Sequence, residues 1–279
     1  MKILCISRTF RRPCIIITVF FLSFFPGLSG QQNQVDARSM ALGTILSPDS
    51  FTNGPQVNPA SLGRVETVHI RAAHSLPFLV KEIGISSLHT IIPVFPGTFR
   101  AGMSTYGLKG FRKYTYSLAY GMQLGDNIHA GINFNFQHVS TFNRGAYLWN
   151  LSVGGGAQYN ISEQTSVGII LINPLQIENY PEYGEMYPAI VALGFSRVIY
   201  TNTLALTEIA FESRYGLQWK MGLSYRVLDN LLLRVGFHTN PPSISGGIGY
   251  TSGQVMLDLA FKWAALPGVS PAFSLSYKL

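Results

Sequence analysis

The stretch Ile128-His129-Ala130-Gly131-Ile132-Asn133-Phe134-Asn135-Phe136-Gln137 sorts its residues by parity. Even positions carry Ile128, Ala130, Ile132, Phe134 and Phe136; odd positions carry His129, Gly131, Asn133, Asn135 and Gln137. A strand sends successive side chains to opposite faces, so this stretch has one apolar and one polar face. A helix would scatter the same apolar residues around its circumference. Residues 217–227 repeat the pattern, with Leu217, Trp219, Met221, Leu223, Tyr225 and Val227 set against Gln218, Lys220, Gly222, Ser224 and Arg226. Residues 114–124, 147–159, 231–237, 255–263 and 273–279 do the same.

Several of these runs reach the roughly 9–11 residues with which a tilted strand crosses a bilayer, whereas strands of soluble sandwiches average about 5–6. Their apolar faces end in aromatics, among them Tyr114, Trp149, Tyr159, Trp219, Tyr225, Trp263 and Tyr277, as interfacial girdles require. Candidate strands lie at 65–74, 82–92, 97–106, 113–124, 127–139, 146–160, 165–173, 187–199, 203–212, 215–227, 231–238, 244–250, 254–264 and 271–279. The expected fold is therefore all-β: a transmembrane antiparallel β-barrel of about 14 strands.

Composition agrees with this fold. Only 12% of the 279 residues are charged, roughly half the 25% of an average soluble domain, and 47% are hydrophobic. The formal net charge of +7 is concentrated at the start, where Lys2, Arg8, Arg11 and Arg12 face no acid. Without residues 1–30 the chain keeps 16 basic and 13 acidic residues, a net of +3, and no basic stripe for nucleic acid.

Residues 1–30 read as a signal peptide. A basic start precedes an apolar run from Cys14 to Phe25, too short to span a bilayer, and Pro26-Gly27-Leu28-Ser29-Gly30 supplies small residues for cleavage before Gly30 or Gln31. Both cysteines, Cys5 and Cys14, lie in it, so the mature chain would be free of disulfides, zinc-thiolate sites and cysteine nucleophiles. The expected destination is the cell outer membrane.

With both barrel ends in the periplasm, the connections at 251–253, 229–230, 201–202, 162–164, 126–127 and 93–96 fall on one side and are uniformly tight. The longest connection, 173–187, falls on the other and carries Glu178, Glu182 and Glu185 without a basic residue. That asymmetry is the one outer-membrane barrels show.

Residues 31–64 do not alternate and are too long for an ordinary connection, which marks them as a lumenal hatch or plug ahead of a barrel at 65–279. They contain Arg38, Ala41 and Gly43 in an Arg-x-x-Ala-x-Gly element, then Asn58, Pro59, Ala60 and Leu62 in an Asn-Pro-Ala-x-Leu element. These elements, placed between a signal peptide and about fourteen amphipathic strands, resemble the PorV/PorQ family of Bacteroidetes outer-membrane proteins. That family looks like a branch of the FadL-type fourteen-stranded barrels, whose N-terminal segment folds into the lumen as a hatch. The resemblance implies an accessory barrel of the type IX secretion system that binds secretion-system proteins or secreted cargo. The alternative is a FadL-like transporter that passes a hydrophobic small molecule around the hatch, an activity that calls for an apolar lumenal pocket. The inward positions read as predominantly polar, which weighs against the transporter.

Arg38 is expected to pair with Glu66, Glu82 or Asp258. Charges on inward faces include Arg71, Arg100, Lys220, Arg226, Arg234, Asp258, Lys262 and Lys278, a polar lumen lining of the kind barrels carry. Gly154-Gly155-Gly156 sits inside a strand and points to close packing against the N-terminal segment, or to barrel curvature. The six histidines form no i, i+4 pair and no Gly-x-Ser-x-Gly element occurs, so neither a metal, a cofactor nor a catalytic role is read.

Overall fold

The computed structural model describes residues 36–48, 58–108, 110–141, 148–175, 177–178, 188–265 and 267–279. The signal-peptide reading of 1–30 and most of the acidic 173–187 connection, Glu182 and Glu185 included, lie outside the described residues.

Alternation of the kind seen at 128–137 becomes a meander of antiparallel strands. The first seven are β1 (His69–Ser75), β2 (Ile85–Val94), β3 (Gly97–Leu108), β4 (Phe111–Gln123), β5 (Ile128–Thr141), β6 (Leu148–Ser162) and β7 (Thr165–Ile172). A two-residue strand, β8 (Ile177–Glu178), follows. The rest are β9 (Ile190–Tyr200), β10 (Thr203–Glu212), β11 (Gly216–Leu228), β12 (Leu231–Thr239), β13 (Pro242–Ser252), β14 (Val255–Ala264) and β15 (Gly268–Lys278). β1 pairs with β15 from His69↔Lys278 to Ser75↔Ala272, and β5 pairs with β6, so the sheet closes on itself. The result is a closed barrel of fourteen long strands, with β8 extending the β7 side of β6 through Asn150↔Glu178. Closure satisfies the backbone without a free edge, which the interior of a bilayer demands. Among the described residues no helix is long and apolar enough to cross a membrane; the strands do the crossing.

The two faces are sharply different. On β11 Leu217, Trp219, Met221, Leu223 and Tyr225 are exposed, while Gln218, Lys220, Gly222 and Ser224 are buried. The outward row from Leu217 to Val227 runs about 33 Å along the strand, or about 23 Å along the axis at a tilt of about 45°, close to the ~25 Å apolar band of such barrels. Similar outward rows on β12, β13 and β14 leave a continuous apolar belt far beyond the patches a water-facing protein displays.

Tight turns at 95–96, 124–127, 163–164, 201–202, 229–230 and 253–254 lie at the end of the barrel where β1 begins and β15 finishes, here the termini end. Register shifts at Asn160/Ser162, Thr203/Leu204 and Arg226/Leu228 all fall beside these turns. One expectation is corrected at the rim. Arg226 keeps inward parity, paired with Leu232 in the same register as Ser224 with Arg234, but it lies beside the 229–230 turn where the lumen opens and is exposed. Lys278, the penultimate residue, is exposed as well. Strand starts shift by a few residues too: 65–68 precede β1, and 82–83 belong to the 3-10 turn Lys81–Ile83 rather than to β2.

Candidate functional site

The lumen holds the described parts of the N-terminal segment, 36–48 and 58–64. Its first part contains a short helix, α1 (Ala37–Ala41), and its second a 3-10 turn, Pro59–Arg64. Asp36 caps α1, accepting from the Ser39 N–H at 3.2 Å. Gly43 ends it with φ +74°, and its N–H returns to the Met40 carbonyl at 3.2 Å. A Cβ there would also lie 2.9 Å from the Phe237 carbonyl oxygen, so both conformation and space call for glycine. Asn58 caps the second element: its Oδ1 accepts from the Ala60 N–H at 3.0 Å, with Pro59 at the first position of the turn.

Two charged anchors tie this segment to the wall. In the first, Asp36 is paired with Arg71 of β1; Arg71 Nη2 also donates to Asp258 of β14 at 3.1 Å, and Arg234 Nη1 of β12 donates to Asp258 at 2.6 Å. Burial works to raise the Asp36 carboxyl, but Arg71, and more weakly Arg38, outweigh it and hold it below the ordinary 3.8. In the second, Glu208 Oε2 of β10 accepts from the Leu46 N–H, the Ser47 N–H and the Ser47 hydroxyl, each at 2.7 Å. Lys220 Nζ of β11 donates to Glu208 Oε1 at 3.0 Å and to the Thr44 carbonyl at 3.2 Å. Desolvation offsets much of the Coulombic gain in such buried pairs, so their main effect is to fix position.

Neutral contacts complete the docking. Asn58 Nδ2 donates to the Ser47 carbonyl at 2.9 Å and to the Ile169 carbonyl at 3.2 Å, stitching the two parts of the segment to each other and to β7. The Pro48 carbonyl accepts from the hydroxyls of Ser196 and Ser166 at 2.7 and 3.2 Å. At two of the closest backbone approaches the wall carries glycine: a Cβ on Gly156 would lie 2.1 Å from Asn58 Oδ1, and one on Gly168 2.1 Å from the Ser47 carbonyl.

Leu46 packs on inward Ile170, Ile172, Ile190, Ala192 and Ala210, and Leu42 and Ile45 on Leu204 and Leu206. Leu62 meets Ile91 and Ala119, and Ala37, Met40 and Ala41 meet Ala260 and Ala272. The lumen wall is thus more apolar than parity suggested. The reason lies in β7, β9 and β10, where both faces carry apolar residues and alternation does not reveal the inward one.

Each residue singled out from the sequence has a place. Arg38, Ala41, Gly43, Asn58, Pro59, Ala60 and Leu62 are in the lumenal segment; Arg38, Ala41, Asn58, Ala60 and Leu62 are buried there. Arg71, Arg234 and Asp258 meet in one cluster with Asp36; Lys262 is buried on β14 and Arg100 half-buried on β3. Of the acids considered for Arg38, Glu66 and Glu82 are exposed, outside the strands and at opposite ends of the barrel. Asp258 is in the cluster, bridged by Arg71 and Arg234. Glu178 is held in β8 by backbone pairing to Asn150. Glu208 escaped the sequence reading; the available signal was an acid at inward parity between Leu206 and Ala210.

No family model and no curated protein matches the chain. Solved structures do. The chain is similar to CymD, a monoaromatic hydrocarbon channel, with TM-score 0.64 and 14% identity over 88% of this chain and 97% of that one. It is similar to the Ralstonia pickettii toluene transporter TbuX, with TM-score 0.63 and 13% identity over 87% and 98%. A Pseudomonas aeruginosa FadL homologue aligns with TM-score 0.60 and 10% identity over 88% and 98%. At such identities the likeness establishes the fold, which is that of FadL-like outer-membrane barrels.

Proposed function

We propose that this protein is a FadL-like channel of the outer membrane that passes small hydrophobic molecules, with residues 36–64 acting as its hatch. The observation that carries this reading is a closed, lipid-facing barrel with its own N-terminal segment docked in the lumen on apolar wall patches. The fold likeness to proteins described as hydrocarbon channels and toluene transporters supports it. Polar anchors and apolar patches together suit a plug that seals against water yet can exchange contacts with an apolar guest. No step of this activity requires bond chemistry, and the leader at 1–30 supplies the route of export.

The test is uptake of radiolabelled toluene into vesicles with a lipopolysaccharide outer leaflet, which itself resists apolar solutes. Protein-containing vesicles should take up the probe faster than protein-free ones. Equal rates remove the proposal.

A second reading, an accessory barrel tied to type IX secretion, rests on the motif at 38–62 and its resemblance to the PorV/PorQ family. Affinity purification from native membranes tests it. Recovery of a secretion component, together with unchanged toluene uptake, would favour it over the channel.

A further inference from the structure

Above the docked segment, at the end of the barrel away from the termini, three buried side chains form a chain that the anchors do not use. Glu212 closes β10, Gln218 lies near the start of β11, and His238 lies near the end of β12. Gln218 Nε2 donates to Glu212 Oε2 at 3.0 Å, and Gln218 Oε1 is 3.2 Å from His238 Nε2.

The direction of this chain follows from chemistry. An amide NH2 only donates and an amide carbonyl only accepts, so with its NH2 on Glu212 the Gln218 amide presents its carbonyl to His238. His238 must then donate from Nε2, which leaves Nδ1 of the neutral ring as a bare acceptor. Both chain ends are thus acceptors: Glu212 Oε1 and His238 Nδ1 are buried without a hydrogen-bond partner among the described residues. Glu212 and His238 are each 6% exposed. Buried acceptors of this kind are costly unless something donates to them. Beside them the wall is apolar on one side, where Ile190 faces Glu212 across the β9–β10 pair and Ala210 lies one inward position below, both packed under Leu46 of the docked segment. The buried cations on this stretch of wall are Lys220, the register partner of His238 on β11, and Lys262 on β14.

We infer that Glu212, Gln218 and His238 form a receiving site for a small apolar molecule bearing one neutral hydroxyl, such as a phenol. The hydroxyl donates to one of the bare acceptors, and the apolar body takes the place of Leu46 on Ile190 and Ala210, the exchange of contacts that the channel reading assigns to the hatch. A pure hydrocarbon would leave the acceptors unpaired, and so would a carboxylate, which has no proton to donate. The inference rests on the channel reading above and narrows its substrate class.

The experiment measures equilibrium binding of radiolabelled phenol, toluene and benzoate to the full barrel in nanodiscs, with protein-free nanodiscs subtracted. Phenol should bind more tightly than toluene by up to about tenfold, the worth of one net hydrogen bond, and more tightly than benzoate. In a Glu212→Leu/His238→Phe variant the phenol preference should vanish while toluene binding persists, which also shows that the barrel is folded. Equal binding of phenol and toluene overturns the site and leaves the channel standing. Benzoate binding most tightly overturns it in favour of recognition by the lysines. A phenol preference that survives in the variant places recognition elsewhere and overturns the assignment, and binding of neither phenol nor toluene overturns the channel reading with it.

Discussion

One oxygen of Glu208 takes both the backbone N–H and the side-chain hydroxyl of Ser47, each at 2.7 Å, across 161 residues of chain. The same oxygen accepts the Leu46 N–H at 2.7 Å, and the other is held by Lys220. A single carboxylate therefore satisfies two backbone donors of a segment that has no strand partner of its own.

Replacing Glu208 with alanine strands those donors and leaves the Lys220 ammonium unpaired in a buried site. The expected cost is about 3–5 kcal/mol of docking stability. Amide hydrogen exchange at Leu46 and Ser47 should rise sharply while the barrel strands keep their protection. Unchanged exchange at both residues would refute the anchor.

The glycine triplet in β6 offers a paired test. Gly156→Ala drives a Cβ into Asn58, whose amide is pinned by three hydrogen bonds, and should destabilise the segment by about 1–3 kcal/mol. Gly155→Ala, whose Cβ meets nothing nearer than 3.3 Å, should change stability by less than about 0.5 kcal/mol. Limited proteolysis within 36–64 distinguishes the two; equal sensitivity would contradict the packing.

Acid should loosen the segment late. The Asp36 carboxyl is depressed below 3.8 in the folded state, so its contribution is fully present above the unfolded value and is lost as pH falls through the depressed one. Hydrogen exchange at Met40 and Leu42, whose amides close α1, should stay slow through mildly acidic pH and quicken only below 3.8. Asp36→Asn should remove that dependence. Loosening between pH 5 and 7 would point to another group.

Leu259 is 58% exposed on β14, a position where arginine would be harmless on a water-facing surface. On a lipid-facing strand near mid-membrane, Leu259→Arg should cost about 2–4 kcal/mol. Urea titration of the barrel refolded into liposomes measures it, and a shift under about 0.5 kcal/mol would argue that this face is not in lipid.

Legibility in the sequence varied with local contrast. β5 and β11 could be read to within a residue or two because hydrophobic and polar side chains strictly take turns. β7, with Ile169, Ile170, Leu171 and Ile172 in a row, has no such contrast, and its inward face emerged only from packing against Leu46. Asn58-Pro59 was readable as a capped turn, since cap and ring act within three residues. The partners of Asp258 were not, because Arg71 and Arg234 come from strands brought beside β14 only by closure.

By itself the sequence determined the strand-rich, lipid-facing character of this chain, the approximate number of crossings and the non-strand nature of residues 31–64. Period-two patterning is local, and each strand declares it without its neighbours. Tertiary structure alone decided where that segment docks, that Glu208 anchors it, and that Glu212 and His238 are joined through Gln218. Those contacts depend on register and barrel closure, which bring side chains from distant strands to one height in the lumen, and no spacing along the chain encodes that height.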